Sequence, residues 1–175
     1  MAAAEPQLTL SDPEYRLFRE LFKAACGLWF GDDSRFVLES RLARRMRRLG
    51  VESFAAYHYL LRREATGEDE LAAVIDELTT NETYFFRERS QLRALVDEIV
   101  PALLTQRAGP VNIWSAGCSS GEEPYTIVMM AQEAGLRPGV DVRILASDIS
   151  RRCLAKAREA EFRESSFRET APELR

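Results

Sequence analysis

The run from Val111 to Asp148 constrains this chain more than any other feature. Val111-Asn112-Ile113-Trp114-Ser115-Ala116 is a short β-rich stretch, and Gly117-Cys118-Ser119-Ser120-Gly121 is a turn of small residues. Glu122 to Ala134 reads as a helix, with Pro124 tolerated in its first turn and Gly135 past its end. Val142-Arg143-Ile144-Leu145-Ala146 is a second strand, ending in Ser147-Asp148, and Ser150 is placed to cap a last helix through about Ala160. Strand, helix and strand at this spacing demand parallel strands joined by a right-handed crossover. The expected fold class is α/β.

Upstream the chain changes character. From about Ser11 to Glu77 it reads as helices only. Ser11 followed by Pro13 starts the first helix and Gly27 closes it; Tyr15, Phe18, Leu21 and Phe22 recur at helical spacing. The second covers roughly Ser34 to Leu49 and stops at Gly50, the third begins near Glu52-Ser53, and the fourth runs from about Gly67 to Leu78. Four short amphipathic helices with brief connections predict a small helical bundle. The Thr79–Arg87 stretch is rich in Thr, Asn and aromatics and reads as a connection. Ser90 is expected to cap a further helix to about Leu104, with Pro101 kinking or ending it. The expected organisation is a helical domain over 1–80, a linker and connecting helix over 81–110, and a partial α/β domain over 111–175.

Composition narrows the function. In 175 residues there are 28 acidic and 24 basic side chains, a net charge of −4 that argues against dedicated nucleic-acid binding. No apolar run is long enough to span a bilayer. The Ala-rich start has no basic flank, so a secretory signal is not expected there, and a short mobile tail is. Three scattered cysteines and the lone His58 fit neither a disulfide framework nor a structural zinc site, and a reducing cytoplasm suits them.

Three groups of residues can carry chemistry. The first is the glycine turn with Asp148. It lacks the lysine of a nucleoside-triphosphate loop, and Asp148 follows Gly117 by 31 residues, more than the ~20 expected for a nicotinamide cofactor. Glu122 and Glu123 sit where a pyrophosphate would lie; carboxylates there repel phosphate but can hold an amino or sulfonium group. The pattern suits S-adenosylmethionine better than a dinucleotide. The blander reading is that the glycines only make a tight turn and Asp148 only caps the last helix. The second is an arginine face: Arg41, Arg44 and Arg48 on one helical stripe with Arg45 beside it, and only Glu39 of opposite charge in that helix. Such a stripe suits an acidic partner, or is a solvated face paired with acids of other helices. The third is Asn81–Arg87, whose polar residues either line a ligand cleft or form a buried linker. Cys118 reads as a packing residue, since no histidine is near to activate it.

Together these strings resemble the CheR-type chemotaxis receptor glutamate O-methyltransferases. The residues that carry the likeness are Thr79-Thr80-Asn81-Glu82-Thr83-Tyr84-Phe85-Phe86-Arg87-Glu88, then Ile113 to Tyr125 with its Gly121-Glu122-Glu123-Pro124-Tyr125, then Leu145-Ala146-Ser147-Asp148-Ile149, with the Arg-rich helix ending in Leu49-Gly50. The resemblance implies a small helical bundle followed by the βαβα start of a Rossmann-like methyltransferase domain. It implies S-adenosyl-L-methionine as cofactor, S-adenosyl-L-homocysteine as product, and methylation of glutamate side chains in signal adaptation. By position, Asn81, Thr83, Arg87, Gly117, Gly121, Glu123 and Asp148 match cofactor-binding residues, with Arg87 near the transferred methyl as the catalytic candidate. Arg41, Arg44, Arg45 and Arg48 match the surface that meets the cytoplasmic methylation helices of a chemoreceptor. No metal is implied. The family's larger sheet would continue where this chain stops, at Glu173-Leu174-Arg175, so a truncated form is expected. The rival is a non-catalytic module docking an acidic helical partner through the Arg-rich helix. A nicotinamide-dependent enzyme and an RNA binder are weaker rivals, opposed by the Glu pair with the long Asp148 spacing and by the net charge.

Overall fold

The computed structural model describes residues 8–63, 67–106 and 108–170. The expectations for the Ala-rich start and for Glu173-Leu174-Arg175 lie outside the described residues. Internal contacts divide the chain into two units, Met1–Thr79 and Thr80–Arg175, so residues 81–110 group with the α/β part.

The first unit is built from α1 (Asp12–Cys26), a 3-10 turn (Asp32–Ser34), α2 (Arg35–Leu49), α3 (Phe54–Leu61) and α4 (Gly67–Leu78). The punctuation residues act where the sequence places them. Ser11 flanks α1 in extended conformation with its N–H on the Glu14 carboxylate, and Gly27 and Gly50 end α1 and α2 with positive φ. The Ser53 hydroxyl accepts the Ala56 N–H to start α3. Phe18, Phe22, Leu38, Leu42, Met46, Tyr57 and Val74 are fully buried between these helices. Each such side chain contributes about 1.5–3 kcal/mol on leaving water. Phe18 meets the rings of Phe22, Phe54, Tyr57 and His58.

The second unit contains α5 (Arg89–Ala94), a π turn (Leu95–Ile99), α6 (Val100–Gln106), β1 (Val111–Ala116), α7 (Glu122–Glu133), β2 (Val142–Ser147), α8 (Arg151–Glu159) and a 3-10 turn (Glu164–Phe167). β1 and β2 pair in parallel, from Val111 opposite Val142 to Ala116 opposite Ser147. Their covered face packs Val111 and Val142 with Val100 and Ala131. On the other face Trp114 and Leu145, partners in register, are 67% and 66% exposed.

Two expectations for the connecting helix are corrected. Ser90 does not cap it: the helix starts at Arg89, after Glu88 in left-handed conformation (φ 51°), and Ser90 is exposed within the first turn. Pro101 does not end it: a π turn comes just before, and the helix continues past the proline. Val100 donates its N–H to Leu95 O, one residue further back than in an α-helix. The widened turn takes up the ring and the missing donor at Pro101, and the helix runs on to Gln106.

Candidate cofactor site and arginine face

β1 ends at Ala116 and the chain turns back over the end of β2. Gly117 and Cys118 both donate their N–H groups to Ser147 O (2.8 and 2.9 Å), and Gly121 donates to Cys118 O (3.0 Å). Ser119, at φ 49°, donates its N–H to Asp148 Oδ2 at 2.7 Å, while Asp148 Oδ1 accepts the Ser150 N–H at 2.8 Å. The turn therefore does not present these N–H groups to a ligand; they are used inside it. A phosphate finds no cradle in them. What the turn presents is a carboxylate, Asp148, held half-buried against it with lone pairs to spare on both oxygens.

The two glycines do different work. Gly117 (φ +82°) has nothing within 4 Å of where a side chain would begin, leaving space beside the turn. A Cβ on Gly121 (φ +101°) would sit 3.0 Å from Ala157 Cβ and 3.2 Å from its Cα, so this glycine lets α7 pack on α8.

The two glutamates also part company. Glu123 is exposed, and its Oε1 accepts the Ser115 hydroxyl at 2.6 Å, which ties it to the end of β1. Glu122 is 3% exposed and turned inward, accepting the hydroxyls of Ser120 and Ser166 at 2.8 Å each. Only Glu123 keeps the outward carboxylate expected of both. Cys118 is buried; burial, and then the Asp148 charge, push its thiol above the ordinary range, which suits packing and not nucleophilic attack.

Asn81 and Thr83 line a cleft of about 530 Å³ with Ser120, Lys156, Arg163 and Arg168. Arg87 is not part of that lining. It is exposed, donates to Glu82 O at 2.8 Å and lies 5.9 Å from the Tyr84 ring centre. Phe85 and Phe86, next to it, are buried against Val96 and Met130.

The arginine face is compensated from α4, the second of the two readings that the sequence leaves open. Arg41 donates to Glu77 O (3.0 Å) and Leu78 O (2.5 Å), carbonyls at the end of α4 that have no helical partner. Arg45 grips Glu70 with two bonds of 2.8 and 2.7 Å, and the buried Tyr57 hydroxyl donates to the same carboxylate at 2.6 Å. Arg44 and Arg48 share Glu77, the Arg48 bond being 2.7 Å. Burial pushes the Glu77 carboxyl up, but Arg48 and Arg44 outweigh it and hold the group below its ordinary value. Arg44 and Arg48 remain half-exposed. Sequence reasoning missed these acids, although Glu70 and Glu77, seven residues apart on α4, share one helical face. It also missed Ser115, a polar residue on the covered face at the end of β1, and Ser166, which nothing in its neighbourhood announces.

Two family models cover the chain. Residues 13–79 match "CheR methyltransferase, all-alpha domain" and residues 81–175 match "CheR methyltransferase, SAM binding domain". The chain is similar to chemotaxis protein methyltransferase 2 of Vibrio cholerae serotype O1, 42% identical over 89% of this chain and 54% of that protein. The chemotaxis protein methyltransferase of Borreliella burgdorferi is 40% identical over 79% of this chain and 50% of its own length. That of Escherichia coli strain K12 is 37% identical over 95% and 56%. The chain thus spans about half the length of the curated relatives it matches. With a helical unit and a glycine-turn α/β unit matched in order by both family models, the chain belongs to the CheR methyltransferase family.

Proposed function

We propose that this chain takes part in S-adenosylmethionine-dependent methylation of glutamate side chains on the cytoplasmic helices of chemoreceptor-type proteins. The observation that carries the reading is Asp148 Oδ2 on the Ser119 N–H at 2.7 Å, which brings an acid to the glycine turn, where the Gly117, Cys118 and Gly121 N–H groups are also engaged. An uncharged diol and a cationic amino group suit that site; a phosphate does not.

The donor set fits the cofactor. Asp148 would accept the ribose hydroxyls, Glu123 would face the amino group, and Gly117 leaves the space for close approach. Gly121 supports the site by seating α7 on α8 and not by touching the cofactor. Asn81 and Thr83 would bind from the linker, and the Arg87 guanidinium would hold a carboxylate, that of the acceptor or that of the cofactor. When bound, S-adenosylmethionine supplies an electrophilic methyl group. An acceptor glutamate, with a pKa of about 4.3, is already a nucleophilic carboxylate at neutral pH. No general base is then needed, and the residues act by alignment and exclusion of water. Of the four α2 arginines named by the resemblance, Arg44 and Arg48 are the half-exposed ones and would meet an acidic helix, whereas Arg41 and Arg45 serve α4.

The test is transfer of labelled methyl from S-adenosylmethionine to a receptor cytoplasmic fragment. Label released by mild alkali, as from a carboxyl ester, supports the reading. Label stable to alkali, or none from a folded chain with bound cofactor, contradicts it.

A further inference from the structure

The Asn81–Glu88 segment holds an unfavourable backbone. Phe86 has φ 63° and Glu88 φ 51°, both left-handed conformations that non-glycine residues seldom adopt. Such conformations persist only where the surroundings over-determine them. The ties that do so come from elsewhere in the second unit, and several meet at Ser166. Its carbonyl accepts the Phe85 N–H at 2.8 Å, and its hydroxyl donates to Glu122 Oε1 at 2.8 Å. Glu122 opens α7, and one turn on, Thr126 Oγ1 accepts the Phe86 N–H at 3.1 Å while donating to Glu122 O at 2.6 Å. Glu122, Thr126 and Ser166 are all buried. The Phe85 ring is clasped by Phe162 (centroids 4.7 Å) and Phe167 (4.9 Å). Ser166 is thus a two-sided pin, with its backbone on the linker segment and its side chain on the first turn of α7.

We propose that Glu122 and Ser166 are a positioning pair: the buried Glu122 carboxylate, through the Ser166 hydroxyl, fixes the strained segment that carries Asn81, Thr83 and Arg87. This rests on the reading of that segment as part of the cofactor site, and it assigns the first glutamate of the Glu122-Glu123 pair a role other than holding a cation. A carboxylate is the right group for it, because it accepts from Ser120 and Ser166 together with no proton of its own to place. Removing the Ser166 hydroxyl leaves a buried charged oxygen without its donor, so the 164–167 turn has reason to part from α7 and carry Phe85 with it.

The experiment compares the chain with its Ser166→Ala, Ser166→Thr and Glu122→Ala variants by amide hydrogen exchange and by titration with S-adenosylhomocysteine. In Ser166→Ala and Glu122→Ala, protection of the Phe85 and Phe86 amides should fall by about ten-fold or more while β1 and β2 keep theirs. Ser166→Thr, which retains a hydroxyl, should keep most of the protection. Affinity for S-adenosylhomocysteine should fall in step with the lost protection. Unchanged protection of Phe85 and Phe86 in both deletion variants overturns the inference. So does uniform loss across the unit, which would make the pair a general stability element. A wild-type chain that binds no S-adenosylhomocysteine counts against the proposed cofactor reading instead, and the exchange data still decide whether the pair fixes the segment.

Discussion

Glu70 shows how much can depend on one carboxylate. It is largely buried on α4, and it joins Arg45 of α2 and Tyr57 of α3. Replacing it by alanine leaves a guanidinium and a buried phenol without their acceptor, and should lower the stability of the helical unit by about 2–4 kcal/mol in urea unfolding. Tyr57→Phe removes one bond and should cost about 1 kcal/mol. His58 gives a pH signature. Burial, then the Arg62 charge, lower its pKa, so the unfolded chain binds the proton more readily than the folded one. Stability should therefore be full above about pH 6.5 and decline as pH falls from there toward the lower folded value. Thermal midpoints measured from pH 7.5 to 5 test this, and His58→Phe, which keeps a ring against Phe18, should flatten that part of the curve. Individual residues were legible in the sequence where a local rule governs them, as with Ser53 and Gly50. Glu122 was not, because its direction is set by Ser166, 44 residues away.

At the scale of elements, most helix ends were legible, Ser90 being the exception, and the partners of a polar helix face were not. Ser11, Gly27, Ser53 and Ser150 mark ends because capping is a matter of one to four neighbours. The π turn was hidden, since nothing in Leu95–Ile99 differs from an ordinary helix. Which acids compensate the α2 arginines was not legible because a helical wheel shows one helix at a time. Their partners change the useful variants. Arg44→Gln with Arg48→Gln should weaken binding of an acidic helical peptide about ten-fold at low salt. It should alter stability by no more than about 1 kcal/mol, as expected of half-exposed pairs. Arg41→Glu would set a carboxylate against the last carbonyls of α4 and should lower stability as well, so it does not isolate binding. The glycine turn allows a sharper contrast. Gly117→Ala meets open space and should cost only the left-handed backbone penalty of about 1–2 kcal/mol. Gly121→Ala adds the collision with Ala157 and should cost about 2–5 kcal/mol. Equal melting temperatures for the two variants would show that α7 does not depend on that close approach.

At the scale of the molecule, the two-part organisation follows from a change of pattern that the sequence carries openly, from helical periodicity before Thr79 to strand, turn and helix after Val111. The cofactor class was legible too, because a turn with two glutamates and a distant aspartate leaves few ligands that are not repelled. Which of those acids face outward was decided only by packing: Glu123 and Asp148 remain at the turn and Glu122 does not. Among the described residues no helix is long and apolar enough to cross a membrane. The central claim is that the turn after β1, with Asp148 and Glu123, recognises S-adenosylmethionine. Calorimetric titration of this chain with S-adenosylhomocysteine tests it most directly, beside Glu123→Gln, which leaves the turn's internal bonds to Asp148 in place. The account predicts saturable binding to one site, weakened about ten-fold or more in Glu123→Gln with the melting temperature unchanged. Binding indifferent to Glu123 would contradict it by placing the cofactor elsewhere, and absence of binding by a folded chain would contradict it and leave α2 with Arg44 and Arg48 as the part that acts.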